Sequence, residues 1–375
     1  MIHCCMRNSE GERFYIDGYF INGYDFVSKF QLVLTIIKVT HTMYILSGDI
    51  GGTKARFQLS KYEKGQLHCI GVKKYSSKEY HDILIFIKNF MDEIGEPIDR
   101  IDSACFAVAG PILHGRVQLT NLPWGIDEAE VSKALNIKNV RLLNDFCANG
   151  HGISALKKDQ LYTLQRGNPQ EKGPKAIIGA GTGLGIAVMN WVSGNGYAVM
   201  STEGGHVDFA PTDDLQMELL AYLRKKYHRV SSERVLSGQG LVNIYRFVRD
   251  HPILNEAENS ELRYEITTSD AAAVIYKFAT EKKDPLATRA LTMFTQVYAA
   301  QVGNLALTIL PFGGLYIAGG IAPKILPQLK SETFKERYLD KGRMSQLLTH
   351  VPLHVILDPT IELKGAAMYV ATQQS

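Results

Sequence analysis

The sequence contains few cysteines, and none has the spacing that marks a disulfide framework or a structural zinc site. There are five cysteines among 375 residues, and no C-x-x-C pair occurs. An odd number without such pairs argues against both kinds of site and is typical of proteins from a reducing compartment. Cys105 and Cys147 stand in apolar segments, where buried, unreactive thiols are expected. We therefore expect a cytoplasmic protein.

Long apolar runs and a strong charge bias are also missing. No stretch approaches the ~18 apolar residues that a membrane-spanning helix needs, so no membrane association is expected. The 41 basic and 38 acidic residues give a net charge of +3, which predicts no extended basic surface for nucleic acid. Neither the P-loop pattern G-x-x-x-x-G-K-S/T nor the dinucleotide-binding pattern G-x-G-x-x-G occurs.

Length and composition predict two globular domains that follow an unusual N-terminal segment. A chain of 375 residues suggests two domains of ~100–200 residues each. Its 45% hydrophobic and 21% charged residues are ordinary for a globular protein. Residues 1–42 mix aromatic residues, glycines and both charge signs, without the order of a signal peptide. We expect them to be a dispensable extension before a strand that begins at Met43.

Apolar patterning along the rest of the chain predicts an α/β protein with an antiparallel start. Three strands joined by short Gly- or Lys-rich links are expected at 43–48, 54–60 and 66–75. The apolar run at 103–109 predicts a strand buried on both faces, and the polar residues 156–174 predict a crossing between domains. The remaining expected elements are helices at 79–94, 127–135 and near 212–226, 239–250, 268–280 and 285–309, and strands at 140–143, 176–178 and 314–318.

Two glycine-rich turns, one in each half of the chain, share a layout of strand, turn with threonine, and return strand. The first lies within YILSGDIGGTKARFQLS at 44–60, and the second follows 176–178. Such turns can be ordinary hairpin turns, or they can present backbone N–H groups to phosphate beside a carboxylate that holds a metal. Because the layout occurs twice, we favour two domains that grip one phosphorylated ligand across a cleft. The turn residues are Asp49, Gly51, Gly52, Thr53, Gly181, Thr182 and Gly183.

Asn144 and Asp145 follow an apolar strand at its carboxyl end. Open α/β sheets place their ligand crevices there. An ionised aspartate at that position can take a proton from a hydroxyl group within hydrogen-bond reach. Because Asn and Asp are also good helix N-caps and a helix is expected to begin here, capping is the alternative interpretation of Asp145.

Further polar residues stand near glycines in the second half of the chain. Glu203 and His206 flank two glycines and precede Asp208, a spacing that is not a recognised zinc site. A carboxylate accepts and an imidazole can donate hydrogen bonds, which suits sugar hydroxyl groups, although a polar loop is the alternative. Glu233 follows two serines in a predicted first helical turn, where a helix-dipole partner is the simpler role. Asn121, before the core candidate Trp124, is equally ambiguous, and Gly319 and Gly320 would let a base or phosphate approach the backbone.

Eight of these segments occur in one order that resembles the bacterial-type glucokinase family, within the hexokinase–actin–Hsp70 superfamily. They are GDIGGT, LTNLPW, LLNDF, GAGTGLG, EGGHVDFAP, SERVLSGQGL, GNLAL and FGGLYIAGGI, and the resemblance covers nearly all of residues 43–370. It implies an α/β fold of two actin-like (ribonuclease H-like) domains with a cleft between them. The smaller would comprise residues 43–155 with 358–375, and the larger residues 156–357. The implied reaction transfers the γ-phosphoryl group of ATP to the 6-hydroxyl of glucose, with Mg²⁺ as cofactor.

The resemblance also implies roles for individual residues. Asp145 corresponds to the catalytic base. Asp49 would lie close to Mg²⁺, binding it directly or through water. The implied glucose contacts are Asn121, Asn144, Asp145, Glu203, His206 and Glu233. The implied ATP contacts are Asp49, Gly51, Gly52 and Thr53 in the first phosphate loop, Gly181, Thr182 and Gly183 in the second, and Gly319 and Gly320 at the adenosine.

Some alternatives stay open at the level of the sequence. The motif C-x-C-G-x-x-G-C of the related ROK sugar kinases is absent. A kinase for another hexose, such as mannose or an amino sugar, is compatible with the same residues, since nothing fixes the stereochemistry at C2. A non-catalytic, sugar-responsive regulator is the rival from another class. The expected partners are glucose and ATP, with neither nucleic acid nor membrane, and a homodimer is the candidate assembly.

Overall fold

The computed structural model describes residues 2–7, 13–18, 42–79, 81–119, 122–252 and 257–373. Two large sheets dominate it, and each is built by the same topology. The predicted α/β class is confirmed. The predicted domain boundaries stay a prediction.

The first large sheet has five strands in the order β5-β4-β3-β6-β9. The three strands expected at its start form an antiparallel meander, and the next two lie parallel to β3. The run at β6 is buried at every residue, as its continuous apolar sequence predicts. The bounds are β3(Met43–Ile50), β4(Lys54–Glu63), β5(Gln66–Ser76), β6(Ser103–Val108) and β9(Asn139–Asn144).

The second large sheet repeats this arrangement, with an extra strand at one edge. Its order is β10-β15-β14-β11-β12-β13. Strands β11, β12 and β13 form an antiparallel meander, and β14 and β15 lie on the other side of β11, running parallel to it. Both sheets therefore have the ribonuclease H-like order that the resemblance implied. The bounds are β10(Leu161–Gln165), β11(Lys175–Ala180), β12(Leu184–Val192), β13(Gly196–Thr202), β14(Gly314–Ala318) and β15(Leu353–Ile356).

Local sequence signals account for several helix ends. Asp82 accepts a hydrogen bond from the Leu84 N–H at the start of α1, and Gly95 ends that helix in the left-handed conformation. Asp284 caps the long helix α8, which begins with Pro285. The helices are α1(Ile83–Ile94), α2(Glu128–Leu135), α3(Asp145–Gly152), α4(Asp214–Tyr227), α5(Gly238–Asp250), α6(Ser260–Thr268), α7(Ala271–Lys277), α8(Pro285–Ile309), α9(Leu326–Leu329), α10(Glu332–Leu339), α11(Ser345–Leu348) and α12(Ile361–Gln373).

Each large sheet has its own apolar core, and one helix pair connects them. The core of the second sheet includes much of α5 and α8, whereas α1 packs on the first sheet. Helix α12 packs against α3 and the first sheet, and the α3 residue Phe146 joins an apolar cluster on the second sheet. The start of α3 therefore lies where elements of both sheets meet.

The structure contains two elements that the sequence pattern missed. Residues 156–174, expected to be a polar crossing between domains, contain strand β10, which is an edge strand and only partly buried. The helix expected near 268–280 is confirmed as α7 and the π-helical turn Phe278–Lys282 after it, whereas helix α6 before it was not predicted. Both omissions arise where partial exposure weakens the apolar pattern.

The N-terminal prediction falls mostly on residues that the structure does not describe. Within residues 1–42, the described strands β1(Ile2–Arg7) and β2(Arg13–Gly18) pair antiparallel, and whether the segment is dispensable stays a prediction. A second small hairpin joins β7(Arg116–Gln118) and β8(Gly125–Asp127). Across the described ranges, no helix combines the length and apolar character that a bilayer crossing requires.

Candidate active site

The first glycine turn is a hairpin between β3 and β4. Asp49 and Arg56 face each other across the two strands. The Gly51 N–H donates to the Lys54 carbonyl at 3.0 Å, and the Ser77 hydroxyl donates to the Gly51 carbonyl at 2.7 Å. Gly51, Gly52 and Thr53 thus occupy a turn that is tied to the segment before α1.

The second glycine turn is a hairpin between β11 and β12. Ala180 and Leu184 are its last paired residues, and Gly181, Thr182 and Gly183 form the turn. The Gly181 N–H donates to the Gly183 carbonyl at 2.8 Å, and the Gly181 carbonyl accepts from the N–H of Gly238, the first residue of α5, at 2.9 Å. A methyl group on Gly181 would meet no atom within 4 Å, so a ligand can approach the backbone there.

The turn that contains Gly319 and Gly320 lies against this second hairpin. Gly319 has a φ of +84°, and a Cβ atom there would clash with the Ala180 carbonyl oxygen. That carbonyl also accepts a hydrogen bond from the Ile321 N–H at 3.2 Å. A Cβ on Gly320 meets nothing within 4 Å. Two segments assigned to the nucleotide by resemblance therefore adjoin, and Gly320 is the residue with open space beside it.

Asn144 caps helix α3, and Asp145 is its first helical residue. The Asn144 Oδ1 atom accepts from the N–H groups of Phe146 and Cys147 at 3.0 and 3.2 Å. The alternative interpretation of Asp145 as the N-cap is therefore wrong. The Asp145 carboxylate accepts a hydrogen bond from the Phe146 N–H at 2.9 Å. It stays available for a proton acceptor's role.

The electrostatic surroundings of Asp145 favour its protonated form. Burial, with the negative charges of Asp49 and Glu203, raises the pKa of Asp145 to about 6, although the hydrogen bond from Phe146 lowers it. Those two charges come from β3 and from the turn after β13, so the fold brings three predicted site residues together. A carboxyl group with such a pKa is mostly ionised at neutral pH and can take up a proton.

Phe146 fixes the start of α3 to the second hairpin. Its ring lies against Gly179 on β11 and Gly185 on β12, where a Cβ atom would clash with the ring in both cases. Both glycines belong to the glycine-rich segment that we interpreted as a phosphate turn. Because these glycines lack side chains, they leave room for the ring of Phe146, the residue that follows Asp145. The sequence pattern did not reveal this role of the glycines.

Glu203 and His206 form an exposed pair on a short helical turn. The His206 Nε2 atom lies 3.7 Å from the Glu203 Oε2 atom, and their side chains are 57% and 88% exposed, respectively. A Cβ on Gly205 would clash with the Leu184 carbonyl, so glycine lets this turn pack on β12. Asp208 pairs with the Arg229 Nε atom at 2.8 Å. The pair thus faces open space beside the second hairpin.

Glu233 contacts the second hairpin directly. Its Oε2 atom accepts from the Leu184 N–H at 3.0 Å, and a Cβ on Gly183 would lie 2.5 Å from the same oxygen. As predicted, Glu233 lies in the first turn of a helix, the short 3₁₀ helix Ser232–Arg234 with Ser231 at its N-cap position, and α5 is a separate helix capped by Ser237. Glu233 is therefore a hydrogen-bond partner of a backbone amide.

Two further assignments have different outcomes. Asn121 lies outside the described residues. Trp124 is buried in the core of the first sheet, beside Phe86, so its interpretation as a core residue is confirmed.

Arg56 is a site residue that the sequence reasoning missed. Its Nε and Nη2 atoms donate to the Asp49 Oδ2 atom at 3.0 and 2.7 Å. Burial alone would lower the pKa of Arg56, but Asp49 and Glu362 outweigh it and raise the pKa. The register of a tight hairpin could have revealed this pair, because residues that flank such a turn face each other.

The carboxylate of Asp49 fits a magnesium ion that takes most of its ligands from water and from substrate phosphates. Within the described ranges, no group of three or more His, Cys, Asp or Glu residues could hold a metal ion by itself. Mg²⁺ usually keeps several waters and binds one or two carboxylates with substrate phosphates. Arg56 donates to one oxygen of Asp49, and the other, Oδ1, accepts no hydrogen bond from the described residues. Asp49 thus has a free ligand atom beside the first hairpin.

Comparisons with known proteins show which family this chain is similar to. A family model described as Glucokinase matches residues 46–373. The glucokinase of Nostoc punctiforme is 43% identical over 339 residues, 87% of this chain and 98% of that protein. The glucokinase of a Synechocystis species is 40% identical over 346 residues, 87% of this chain and 97% of that protein. The crystal structure of a glucokinase from an Antarctic psychrotroph matches with a TM-score of 0.75 at 31% identity, covering 88% of this chain and 99% of that one.

These matches confirm the resemblance inferred from the eight motifs. They span both large sheets and every described site residue from Asp49 to Glu362. The chain belongs to the Glucokinase family.

Proposed function

We propose that this protein is an ATP-dependent glucokinase that converts glucose to glucose 6-phosphate. The observation that carries the proposal is the position of Asp145. Its carboxylate is influenced by both Asp49 and Glu203, and its neighbour Phe146 rests on the second hairpin. One potential base therefore stands between a hairpin suited to phosphate and the polar residues suited to a sugar.

Asp145 acts as the general base in this mechanism. Its carboxylate accepts the proton of the sugar 6-hydroxyl as O6 attacks the γ-phosphorus atom. The new O6–phosphorus bond replaces the bond to the bridging oxygen, and ADP leaves. Phosphoryl transfer depends mainly on positioning and charge stabilisation, so the rigid placement of Asp145 at the start of α3 matters as much as its basicity.

The two hairpins hold the phosphates, and the polar residues hold the sugar. The N–H groups of Gly51 and Gly181 are used within the turns. The backbone N–H groups that follow them, those of Gly52 and Thr53 and of Thr182 and Gly183, are proposed to donate to phosphate oxygens. Asn144, Glu203, His206 and Glu233 are proposed to contact the sugar, together with Asn121. Asp49 would hold Mg²⁺, directly or through water, and the ion would neutralise charge on the phosphates. The turn at Gly319 and Gly320 receives the adenosine.

A hexose panel in a coupled assay tests the proposal. ADP formation would be measured with glucose, mannose, glucosamine and N-acetylmannosamine, and with ATP, ADP or polyphosphate as donor. We expect the highest kcat/KM for glucose with ATP. A higher kcat/KM for another hexose would reassign the substrate. Binding of glucose without any phosphoryl transfer would instead support the sugar-responsive regulator.

Two attributes of the proposal need separate measurements. Chains that begin at Met1 and at Met43 should have the same kcat if residues 1–42 are dispensable. We propose a cytoplasmic location, supported by the free thiols of Cys69, Cys105 and Cys147, and a homodimer, which light scattering of the purified protein would test.

A further inference from the structure

We propose that Glu362 is a positioning residue that holds both functional carboxylates in place, Asp49 through Arg56 and Asp145 through Asn149. The inference rests on the proposed function, since it concerns the same reaction. Glu362 belongs to none of the eight family motifs noted in the sequence. It lies in the first turn of α12, far along the chain from the other members of the network.

The two oxygens of Glu362 serve different partners. The Oε2 atom lies 3.2 Å from the Arg56 Nη2 atom, and the Oε1 atom accepts from the Asn149 Nδ2 atom at 3.3 Å. The Glu362 side chain is only 17% exposed. Burial raises the pKa of Glu362, as does the nearby charge of Asp49, whereas Arg56 lowers it.

Arg56 links Glu362 to Asp49. Its guanidinium group donates twice to Asp49, once to Glu362 and once to the Pro359 carbonyl just before α12. A planar guanidinium held on several sides has little freedom to turn. The orientation of the Asp49 carboxylate is thereby determined by the position of α12.

Asn149 links Glu362 to the helix of the proposed base. The same Nδ2 group that donates to Glu362 also donates to the Asp145 backbone carbonyl at 3.0 Å. Asn149 is 2% exposed, so water cannot easily replace either bond. The first turn of α3, which carries Asp145, is therefore anchored to the same carboxylate as Arg56.

Close helix packing makes this anchor rigid. Glycines at the α3–α12 crossing let the two backbones touch: a Cβ on Gly152 would lie 2.5 Å from the Ile361 carbonyl oxygen, and one on Gly365 would clash with the Ala148 carbonyl. Neither helix can slide without opening this contact. The close contact between α3 and α12 therefore fixes the distances from Glu362 to Arg56 and to Asn149.

Folding alone is a weak reason for a carboxylate at this position. Burying a charge is unfavourable, and a buried ion pair often stabilises a fold no better than well-packed apolar groups do. Glu362 is instead placed where one side chain can orient two reactive elements. A misplacement of about 1 Å from a mutation away from the chemistry can cost on the order of 100-fold in rate.

The variant Glu362→Gln tests the proposal in the full-length enzyme. It keeps the shape and the contact to Asn149 but loses the charge that holds Arg56. We expect kcat to fall by about 10- to 100-fold, with the glucose dissociation constant from calorimetry changed less than threefold. The matched control is Glu332→Gln, an exposed acid in the first turn of α10, which should leave kcat and glucose binding unchanged.

A second readout concerns the proposed magnesium site without turnover. Mg²⁺·AMPPNP should raise the thermal unfolding temperature of the wild type more than that of Glu362→Gln, because Asp49 is less well oriented in the variant. Equal shifts would contradict the link through Arg56. A fall in activity that only mirrors the unfolded fraction would assign Glu362 a structural role and overturn the proposal.

Two further variants keep the test decisive if Glu362→Gln folds poorly. Asn149→Ser removes the link to Asp145 and should lower kcat while leaving the effect of Mg²⁺·AMPPNP on unfolding intact. Arg56→Lys should make the effect of Glu362→Gln much smaller in the double variant, because both changes break one path. Full additivity would overturn the proposal. Inactivity of the wild type on every hexose would instead contradict the proposed function.

Discussion

The Glu233 carboxylate accepts a hydrogen bond from the Leu184 backbone N–H at 3.0 Å. This bond joins a residue proposed to contact the sugar to the hairpin proposed to contact phosphate. Gly183 stands directly before Leu184, and its missing side chain leaves the space that the carboxylate occupies. The glycine is therefore needed for a protein contact, whatever it contributes to phosphate binding.

Gly183→Ala should weaken sugar binding. The added methyl group displaces the Glu233 carboxylate, which lies 2.5 Å from the ideal Cβ position. The displaced Glu233 carboxylate would lose its proposed hydrogen bond to the sugar. Because a hydrogen bond to a charged group contributes about 1.5–3 kcal/mol, we expect KM for glucose to rise about 10- to 100-fold. The displaced carboxylate also leaves the buried Leu184 N–H without this acceptor, so the unfolding free energy should fall by about 1–3 kcal/mol.

Gly181→Ala is the matched control for this prediction. Its Cβ meets nothing within 4 Å in the protein, so Glu233 keeps its position and KM for glucose should stay within twofold. Steady-state kinetics with glucose and ATP varied separately would compare the two variants. Equal glucose KM values for both would contradict the link between Gly183 and Glu233.

Asp145→Asn should abolish most of the activity while sugar binding persists. Removal of a general base typically costs about 10²–10⁴ in rate, and Asn keeps an oxygen that can accept the Phe146 N–H. Single-turnover kinetics and glucose calorimetry would measure the two effects. Asp214→Asn changes an exposed acid at the first residue of another helix, α4, and should be fully active. Turnover near the wild-type rate in Asp145→Asn would remove Asp145 from the mechanism.

The rate should depend on pH through Asp145. Its pKa of about 6 means that the base is protonated, and hence inactive, at lower pH. We expect kcat/KM for glucose to fall tenfold per pH unit well below pH 6 and to be level above about pH 7. A profile that stays flat down to pH 5 would argue against an ionised Asp145 as the base.

Asp145 should also lower stability at neutral pH. Its pKa rises from 3.8 unfolded to about 6 folded, so its contribution to stability is lost as pH increases through this range. The difference corresponds to about 3 kcal/mol at pH 7. Asp145→Asn should therefore gain unfolding free energy relative to the wild type between pH 4 and pH 7. Denaturant unfolding at both values would measure it, and a pH-independent difference would contradict the prediction.

Asn144→Asp separates the two roles of Asn144. An aspartate oxygen can still cap α3, since Asp and Asn are comparable N-caps, but the donor NH₂ group is lost. We expect a thermal unfolding temperature close to the wild type and a KM for glucose raised about tenfold. In Asn144→Ala the cap is lost too, at about 1 kcal/mol. If both variants kept a normal KM, Asn144 would be a cap only.

Much of the fold could be predicted because its signals are local. Asp82 and Gly95 mark the ends of α1, and the apolar run of β6 is buried throughout. The glycine turns are hairpins as expected. Strand β10 was missed because an edge strand is only partly buried, which hides the apolar pattern on which the prediction depends.

The sequence predicted which residues belong to the candidate site better than it predicted what each residue does there. Asp145 was found because it ends an apolar strand, yet the neighbouring Asn144 turned out to be the cap. Gly183 was found as a turn residue and Gly185 as part of the motif GAGTGLG, but the structure shows that they make room for Glu233 and Phe146, respectively. A glycine in a sequence indicates missing volume, and it does not say which group fills that volume.

The sequence by itself determined the family, the two glycine hairpins and the identity of the proposed base, since each depends on neighbouring residues. Only the tertiary structure decided that Glu362 meets Arg56 and that Asn149 connects it to Asp145. Glu362 stands 306 positions after Arg56, and a contact of that range has no local pattern. It arises from sheet register and from the close crossing of α3 with α12, which the chain acquires only when it packs.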